Sequence, residues 1–320
     1  MNGVVRTVLG DVDSSVLGTV YAHEHLIIDT PLVADRWPEI HLTSVDDAVA
    51  EVARCAAFGV RTMVDAMPAA SGRDPIRLAA IAQRTGVHLV ATTGLHTAKY
   101  YEGQRWTSEE PPEVLAELFI ADVVEGIDRY DYLGPVLRRT THRAGIVKMG
   151  WLGVEPTARD RRLTEAVAQV HAVTGVAVLT HCEGGRGGLR QVELLTALGV
   201  PADRVMLSHT DKVTDLGYHR ELLATGVVLG YDQALRQGDK ARDGTARLVA
   251  DAVQRGHGSQ IVLSTDAARR SLWAQYGGEL GLAWLADGFV RLLDDVGVDA
   301  AARRTIFVET PARLLAMRRS

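Results

Sequence analysis

The sequence has few cysteines, no excess of basic residues and no long apolar run, and each shortage excludes a class of protein. Cys55 and Cys182 are the only cysteines among 320 residues, so a disulfide scaffold is excluded and a reducing compartment is expected. Lys and Arg number 35 against 40 Asp and Glu, a formal net charge of −5. That balance gives no electrostatic footprint for nucleic acid, and we expect no nucleic-acid partner.

Segments that address a protein to a membrane are also missing. No apolar run approaches the ~20 residues that span a bilayer. Residues 1–18 lack the basic and apolar regions of a signal peptide. We therefore expect no membrane partner and a cytoplasmic location. The hydrophobic fraction of 47% belongs to an ordinary globular chain that is long enough for a large core.

Short runs rich in Val, Ile and Leu alternate with amphipathic stretches along the chain. Such runs are typical of strands buried on both faces of a parallel sheet. Strands are predicted at residues 19–28, 60–66, 87–93, 145–149, 176–181, 204–209, 226–231 and 260–266. Helices are predicted at 44–58, 74–84, 112–129, 160–173, 188–198 and 245–254, with Ser44 and Asp160 as N-caps. The eight β-then-α units predict an α/β fold, a (β/α)8 TIM barrel, as a single domain over residues 1–320.

An open doubly wound sheet is the competing architecture. That fold usually carries a Gly-rich phosphate loop after its first strand, but here the first strand ends in Ala22-His23-Glu24-His25. The Gly-rich residues 182–188 follow the fifth strand and lack the GxGxxG order. We interpret them as a flexible βα loop, with a cofactor motif as the weaker alternative.

His23 and His25 are two residues apart on the first strand, so their side chains share one face. In a barrel that face is either the packed interior or the helix-covered outside. Unpaired imidazoles are costly in either place. A shared metal ion satisfies both rings, and hydrogen-bonded core histidines are the alternative.

Four more strands end in a polar residue, at the edge where barrel active sites are built. Each alone also fits a surface lysine or a hydrogen-bonded histidine. Together, four imidazoles and a carboxylate suit Zn²⁺, with Mn²⁺ or Co²⁺ as alternatives. Six candidate ligands favour two metal ions that share a bridging hydroxide. The candidates after the first strand are Lys148, His181, His209 and Asp266.

Lys148 differs from the other candidates because a protonated ammonium repels a metal ion. Burial near cations lowers the pKa of a lysine and favours its neutral amine. A neutral amine can add CO₂ to form an anionic, bidentate carbamate. N6-carboxylation would thus turn Lys148 into a bridging ligand.

This arrangement resembles the phosphotriesterase-like branch of the amidohydrolase superfamily. The likeness covers nearly the whole chain and includes Val8-Leu9-Gly10, residues 204–211 and residues 309–315. The resemblance implies a (β/α)8 barrel, a homodimer and a binuclear centre. It assigns His23, His25 and Asp266 to one metal and His181 and His209 to the other. It also implies that carboxylated Lys148 and a hydroxide bridge the metals, and that Asp266 is the catalytic general base.

Departures from the family's patterns narrow the expected substrate. Organophosphate specialists carry an acidic residue and a histidine that shuttle protons, and the matching positions here are Lys212 and Gln233. Acyl-homoserine lactonases place a tyrosine after the third strand's Thr-Gly, whereas His96 follows Thr93-Gly94-Leu95 here. Residues 96–101 and 266–270 are more similar to the sugar-lactone group.

The long loop between the third strand and the next helix has no clear periodicity of apolar residues. Long loops of this kind in a compact fold are often substrate-binding elements. Cations near the mouth, Lys212 among them, predict a pocket for a phosphate or carboxylate. The alternative is that these loop cations are solvated or paired within the protein. The predicted substrate-binding residues are His96, Lys99, Tyr101, Arg236, Arg269 and Arg270.

The sequence therefore predicts a lactonase in which a metal-bridging hydroxide opens a lactone, in the sharper version a phosphorylated or otherwise anionic sugar lactone. The alternatives on the same site are an acyl-homoserine lactonase, another carboxylic-ester or amide hydrolase, and a promiscuous phosphotriesterase. A barrel that has lost catalysis and only binds a ligand is a further alternative. Six intact candidate ligands weigh against it.

Overall fold

A computed structural model describes residues 3–318 as a hairpin followed by a barrel of eight parallel strands. The hairpin, which the sequence patterns did not predict, pairs β1 (Val4–Thr7) with antiparallel β2 (Gly10–Asp13). Each barrel strand pairs in parallel with the next, from β3 to β10. The predicted TIM barrel is confirmed. Its strands are β3 (Thr19–Glu24), β4 (Val60–Asp65), β5 (His88–Leu95), β6 (Ala144–Trp151), β7 (Ala177–Cys182), β8 (Val205–Ser208), β9 (Val228–Tyr231) and β10 (Ile261–Leu263).

Helices lie between the strands and cover the outside of the barrel. They are α1 (Pro31–Arg36), α2 (Val45–Ala57), α3 (Pro75–Thr85), α4 (Trp106–Glu109), α5 (Pro112–Val124), α6 (Ala158–Thr174), α7 (Gly188–Ala197), α8 (Leu216–Ala224), α9 (Ala234–Gln237), α10 (Arg247–Gln254), α11 (Gly288–Asp295), α12 (Ala300–Arg304) and α13 (Thr310–Leu315).

Of the two predicted N-caps, Ser44 is confirmed and Asp160 is not. Ser44 caps α2, and its hydroxyl accepts the Asp47 N–H at 3.1 Å. The N-cap of α6 is Thr157, not Asp160. Asp160 stands three residues later and closes a capping box by accepting the Thr157 N–H at 2.9 Å.

The first and last barrel strands, β3 and β10, are joined by hydrogen bonds that are not part of the regular pairing between strands. The Asp266 N–H donates to the His23 carbonyl at 3.1 Å. The Ser264 hydroxyl accepts the His23 N–H at 2.7 Å and lies 2.7 Å from the Glu24 carboxylate. The residues that close the barrel therefore also fix the backbone of two predicted metal ligands.

Two hydrophobic clusters surround the strands. One lies between the strands and the helices. The other fills the barrel interior with residues such as Val64, Ile146 and Leu179, and it continues into Val5 of the hairpin and Leu314 of α13. The hairpin and the last helix thus plug the lower end of the barrel, and the polar residues are left to the upper mouth.

Several element ends differ from the prediction for local reasons. β3 stops at Glu24 instead of residue 28, because the Leu26 N–H donates to the Asp65 carboxylate at 2.8 Å and leaves the ladder. Helix α5 ends at Val124, shortly before Gly126 takes a φ of +149°.

Both cysteines are buried and free, and Cys55 packs within the core from α2. Within residues 3–318, the structure contains no helix that combines the length and the apolar character needed to cross a bilayer.

Candidate active site

The six predicted metal ligands lie together at the carboxyl ends of the barrel strands. Each is at most 7% exposed, so each polar group needs a partner inside the protein or a ligand. Ring centroids are 5.3 Å apart for His23 and His25, 4.9 Å for His23 and His209, and 4.5 Å for His181 and His209. The four imidazoles form one contiguous group.

A register shift in β3 accompanies this placement. Tyr21 packs outside the barrel and Ala22 inside, and the pairing with β4 slips between Tyr21 and Glu24. The His23 ring nevertheless reaches Ser208 at the end of β8. In a regular strand, the side chains of neighbouring residues such as Ala22 and His23 point to opposite faces. The slip in pairing allows both to lie on the inner side of the barrel.

Three of the histidines bond through one ring nitrogen at most. His23 Nδ1 lies 3.0 Å from the Ser208 hydroxyl, and His181 Nε2 lies 2.7 Å from the Glu183 carboxylate. Within the described chain, no hydrogen-bond partner reaches His23 Nε2, His25 Nδ1 or His181 Nδ1. Metal-binding histidines have this pattern, with one nitrogen anchored and the other available.

Asp232 holds His209 and was missed by the sequence prediction. Its Oδ1 lies 2.8 Å from His209 Nδ1, and its Oδ2 accepts the His209 backbone N–H at 3.1 Å. Burial, together with the nearby Asp266 carboxylate, raises the pKa of Asp232 to about 7. Asp232 directly follows β9, so the strand-end pattern that indicates the other ligands also marks this residue.

Asp266 lies between a cation and the histidines. Its Oδ2 accepts from Arg236 at 2.7 Å, and its Oδ1 lies 3.4 Å from His25 Nε2. Burial alone raises the pKa of a carboxyl, but the Arg236 guanidinium and the neighbouring His209 hold the pKa of Asp266 well below its usual range. Asp266 is therefore ionised at neutral pH, as a metal ligand or a general base must be.

Lys148 is fully buried on β6, and its ammonium donates to the Ala66 carbonyl at 3.0 Å. Burial lowers its pKa to about 8, although the carboxylates of Asp266 and Asp232 oppose that shift. The amine therefore loses its proton more readily than an exposed lysine does, and carbamate formation requires that loss.

The donor set fits a divalent metal ion. Burial lowers the pKa of His181 to about 3 and the pKa of His23 and His209 well below the usual value, so the rings are neutral, as metal ligands must be. Neutral imidazoles with a carboxylate are ligands that zinc and similar ions accept. Two groups have ligand atoms that all lie within 4.8 Å of one another: His23, His25 and Asp266, and His23, His209 and Asp232.

A cavity of about 600 Å³ opens above these residues. His96 lines it, with its ring centroid 4.7 Å from that of His181. Aromatic and aliphatic side chains such as Trp37 and Leu272 contribute apolar wall. Besides the predicted ligands Lys148 and Asp266, two acids and four cations line it: Glu39, Glu183, Lys99, Lys212, Arg236 and Arg269.

Two of the predicted substrate-binding residues, Tyr101 and Arg270, are not among the described residues that line this cavity. The Tyr101 hydroxyl accepts the His96 N–H at 2.7 Å and donates to a backbone carbonyl at 3.1 Å, so it supports the loop of His96 from behind. The Arg270 guanidinium lies over the ring of Tyr276, 4.0 Å from its centroid.

Comparison with known proteins shows a match that covers nearly the whole chain. The Phosphotriesterase family matches residues 3–315. Two proteins named phospho-furanose lactonase are each 31% identical over 98% of this chain, covering 92% of the Mycoplasmopsis synoviae protein and 91% of the Mycoplasmopsis agalactiae protein. A crystal structure of an amidohydrolase from Mycoplasma synoviae is 30% identical with a TM-score of 0.94, and the match covers 100% of this chain and 93% of that one.

Proposed function

The chain belongs to the phosphotriesterase family, and we propose that it is a metal-dependent hydrolase that opens the ring of a lactone. One observation carries this proposal. Four buried histidines, a buried lysine and an ionised aspartate converge beneath a cavity whose rim is cationic. The two relatives named phospho-furanose lactonase support the choice of a lactone.

The chain's own residues would hold two divalent metal ions. We assign His23, His25 and Asp266 to one ion and His181 and His209 to the other, with carboxylated Lys148 as the ligand between them. Zn²⁺ is the ion that these donors favour, and Mn²⁺ and Co²⁺ are the alternatives. When bound, such ions supply the Lewis acidity that polarises the lactone carbonyl.

The remaining chemistry falls to side chains around the cavity. Water adds to the carbonyl carbon, the ring C–O bond breaks, and the ring oxygen takes up a proton to give a hydroxy acid. Asp266 accepts the proton of the attacking water. Arg236 holds the Asp266 carboxylate at 2.7 Å and so fixes the direction from which it accepts.

The rim favours a lactone that carries an anionic group. Lys99, Lys212 and Arg269 line the cavity, and an arginine there can bind a phosphate or carboxylate through two hydrogen bonds. Glu39 and Glu183 also line the cavity, so the cationic side chains occupy only part of its wall. We propose a phosphorylated or otherwise anionic sugar lactone as the substrate.

Phosphotriesterase activity is expected to be weak at most. Lys212 and Gln233 occupy the positions of the proton-shuttling acid and histidine of organophosphate specialists, and both line the cavity. The Gln233 side-chain amide already donates to the Asp232 carboxylate at 2.5 Å. An amide in this bonded state does not replace a titrating histidine.

Metal analysis and a substrate panel test the proposal. The purified protein should carry about two tightly bound divalent ions per chain. It should hydrolyse phosphorylated sugar lactones faster than plain sugar lactones or acyl-homoserine lactones when each is assayed with defined metal. Fewer than one bound ion per chain, with no rate gained on adding Zn²⁺, Mn²⁺ or Co²⁺, would contradict the enzyme assignment. Ligand binding without turnover would favour the binding-protein alternative.

The homodimer and the cytoplasmic location stay predictions. Light scattering of the purified chain tests the first, and fractionation of the native cells tests the second. A monomeric mass at micromolar concentration would contradict the dimer.

A further inference from the structure

Glu183 touches a predicted metal ligand without being one of the predicted ligands itself. It follows β7 directly, and its Oε2 lies 2.7 Å from Nε2 of His181. Its side chain is 39% exposed and reaches the cavity, whereas the His181 side chain is only 9% exposed. A carboxylate can only accept, so His181 Nε2 must carry the hydrogen.

This contact decides which nitrogen of His181 is free. With the hydrogen on Nε2, the lone pair of a neutral ring is on Nδ1, and Nδ1 is the atom that lacks a hydrogen-bond partner within residues 3–318. His209 has the opposite arrangement, because Asp232 takes its Nδ1 at 2.8 Å. The two histidines proposed for one metal ion therefore present different ring nitrogens, each set by its own carboxylate.

The Gly-rich segment after β7 makes the contact with Glu183 feasible. Gly184 and Gly185 have φ values of +61° and +77°, which turn the chain sharply after Glu183. Gly185 also packs against the end of the next strand, where an added Cβ would lie 2.9 Å from the His209 carbonyl oxygen. A side chain there would push the loop, and Glu183 with it, away from the mouth.

We propose that Glu183 is a positioning residue that accepts the Nε2–H of His181 and thereby fixes Nδ1 as its metal-binding atom. The Gly-rich segment 182–188 serves this geometry. The proposal rests on the proposed metal centre. Carboxylate partners of metal-binding histidines hold the ring and its tautomer in this way, and their loss typically weakens metal binding by about 10–100-fold.

The test compares Glu183→Ala, which removes the acceptor, with Glu183→Gln, which keeps an acceptor oxygen without the charge. Glu39→Ala is the matched control, because Glu39 also lines the cavity but its side chain has no hydrogen bond or ion pair with the described part of the chain. Metal affinity is measured by competition with a chelator for Zn²⁺. The His181 tautomer is read in the metal-free protein from long-range ¹H–¹⁵N correlations of ¹⁵N-histidine.

We expect Glu183→Ala to weaken binding of one of the two ions by at least about tenfold and to lose the Nε2–H tautomer of His181. Glu183→Gln should retain the tautomer and most of the affinity, and Glu39→Ala should keep the wild-type metal affinity and His181 tautomer. An unaltered thermal midpoint confirms that the variants fold.

Wild-type metal affinity and an unaltered tautomer in Glu183→Ala would overturn the proposal, as would a change confined to KM, which would make Glu183 a substrate contact. If the wild-type chain binds two ions and Glu183→Ala binds them equally well, only the role of Glu183 fails. If the wild-type chain itself binds less than one ion, the proposed function fails along with it.

Discussion

His209 and Asp266 have left-handed backbone conformations, with φ values of +65° and +44°. For a residue with a Cβ this conformation costs roughly 1–2 kcal/mol, although aspartate and asparagine tolerate it better than most. His209 directly follows β8, Asp266 lies in the loop after β10, and both are proposed metal ligands. Strain of this kind persists where a side chain must point in one direction for function. The backbone thus supports the placement of these two ligands independently of their chemistry.

Asp266→Asn separates catalysis from stability. Asparagine accepts the left-handed conformation and keeps one oxygen, but it cannot take up a proton. We expect kcat on a lactone to fall by about 10²–10⁴-fold, while the thermal midpoint shifts by only a few degrees. Steady-state kinetics at saturating metal and a thermal melt measure the two effects. Unchanged turnover would remove Asp266 as the general base.

Arg269→Ala tests the anion-binding rim, and the adjacent Arg270→Ala is its matched control. Arg269 lines the cavity, whereas Arg270 lies over Tyr276. Loss of a charged hydrogen bond costs about 1.5–3 kcal/mol, so KM for an anionic lactone should rise by roughly 10–100-fold in Arg269→Ala. KM for a neutral lactone should change little, and Arg270→Ala should resemble the wild type. Equal effects on the two lactones would count against the anion pocket.

At the scale of elements, the close approach of β5 to β6 places Lys148. Gly94 on β5 is paired with Lys148 and has a φ of +90°. A Cβ at Gly94 would lie only 2.0 Å from the Lys148 carbonyl oxygen. The strand that carries the proposed bridging ligand therefore needs a glycine beside it.

Gly94→Ala should destabilise the protein and disturb the metal site together. Left-handed strain and the collision with the Lys148 backbone should together cost about 2–5 kcal/mol, measured by urea unfolding, and the metal content should fall. Gly103→Ala is the control, since Gly103 has a φ of +83° but nothing within 4 Å of an added Cβ. It should show only the strain. Equal losses in the two variants would rule out the collision as the cause.

The strands could be predicted from sequence because each is a buried run with turn residues on either side. The hairpin β1–β2 could not, because its two short strands are not buried runs: β1 has two buried residues and β2 has none. The loop after β10 depends on a distant residue: buried Glu51 on α2 accepts the N–H of Leu282 at 2.9 Å and those of Ala274 and Gln275 at 3.3 Å. The residue pattern within the loop cannot predict a contact with a residue so distant in the sequence.

In the candidate site, too, some residues can be predicted from the neighbouring sequence, whereas their contacts with distant residues cannot. Residues at strand ends, such as His181 and His209, can be predicted because parallel strands bring their carboxyl ends to one edge. The partners that set their ring nitrogens could not be deduced from spacing alone. Asp232 lies 23 residues from His209, and the Glu183 contact depends on a turn through two glycines with positive φ.

The two ends of the barrel have different roles: residues at one end stabilise the fold, and the other end holds the polar site. The lower end is closed by the hairpin and by α13, and the upper mouth holds the polar site. Arg204, just before β8, is fully buried at the lower end. It donates to the carbonyl oxygens of Arg313 at 2.9 Å, Ala316 at 2.9 Å and Gly175 at 3.1 Å. One guanidinium thus ties the C-terminal helix to the loop before β7.

Arg204→Ala should therefore lower stability and leave catalysis intact. Its loss removes the side-chain donor of the partly buried Arg313 and Ala316 carbonyl oxygens, whereas the Gly175 carbonyl keeps the Arg318 N–H at 3.0 Å. The lost hydrogen bonds and the lost packing of the buried side chain should cost about 2–4 kcal/mol of unfolding free energy. kcat and KM should stay near wild type, because active sites of such barrels lie at the opposite face. Arg313→Ala is the control: the Arg313 side chain is 42% exposed, and the substitution keeps the backbone carbonyl that Arg204 binds. Urea unfolding should place it within about 1 kcal/mol of the wild type. A loss of kcat in Arg204→Ala at temperatures where it remains folded would show that the two ends of the barrel are coupled.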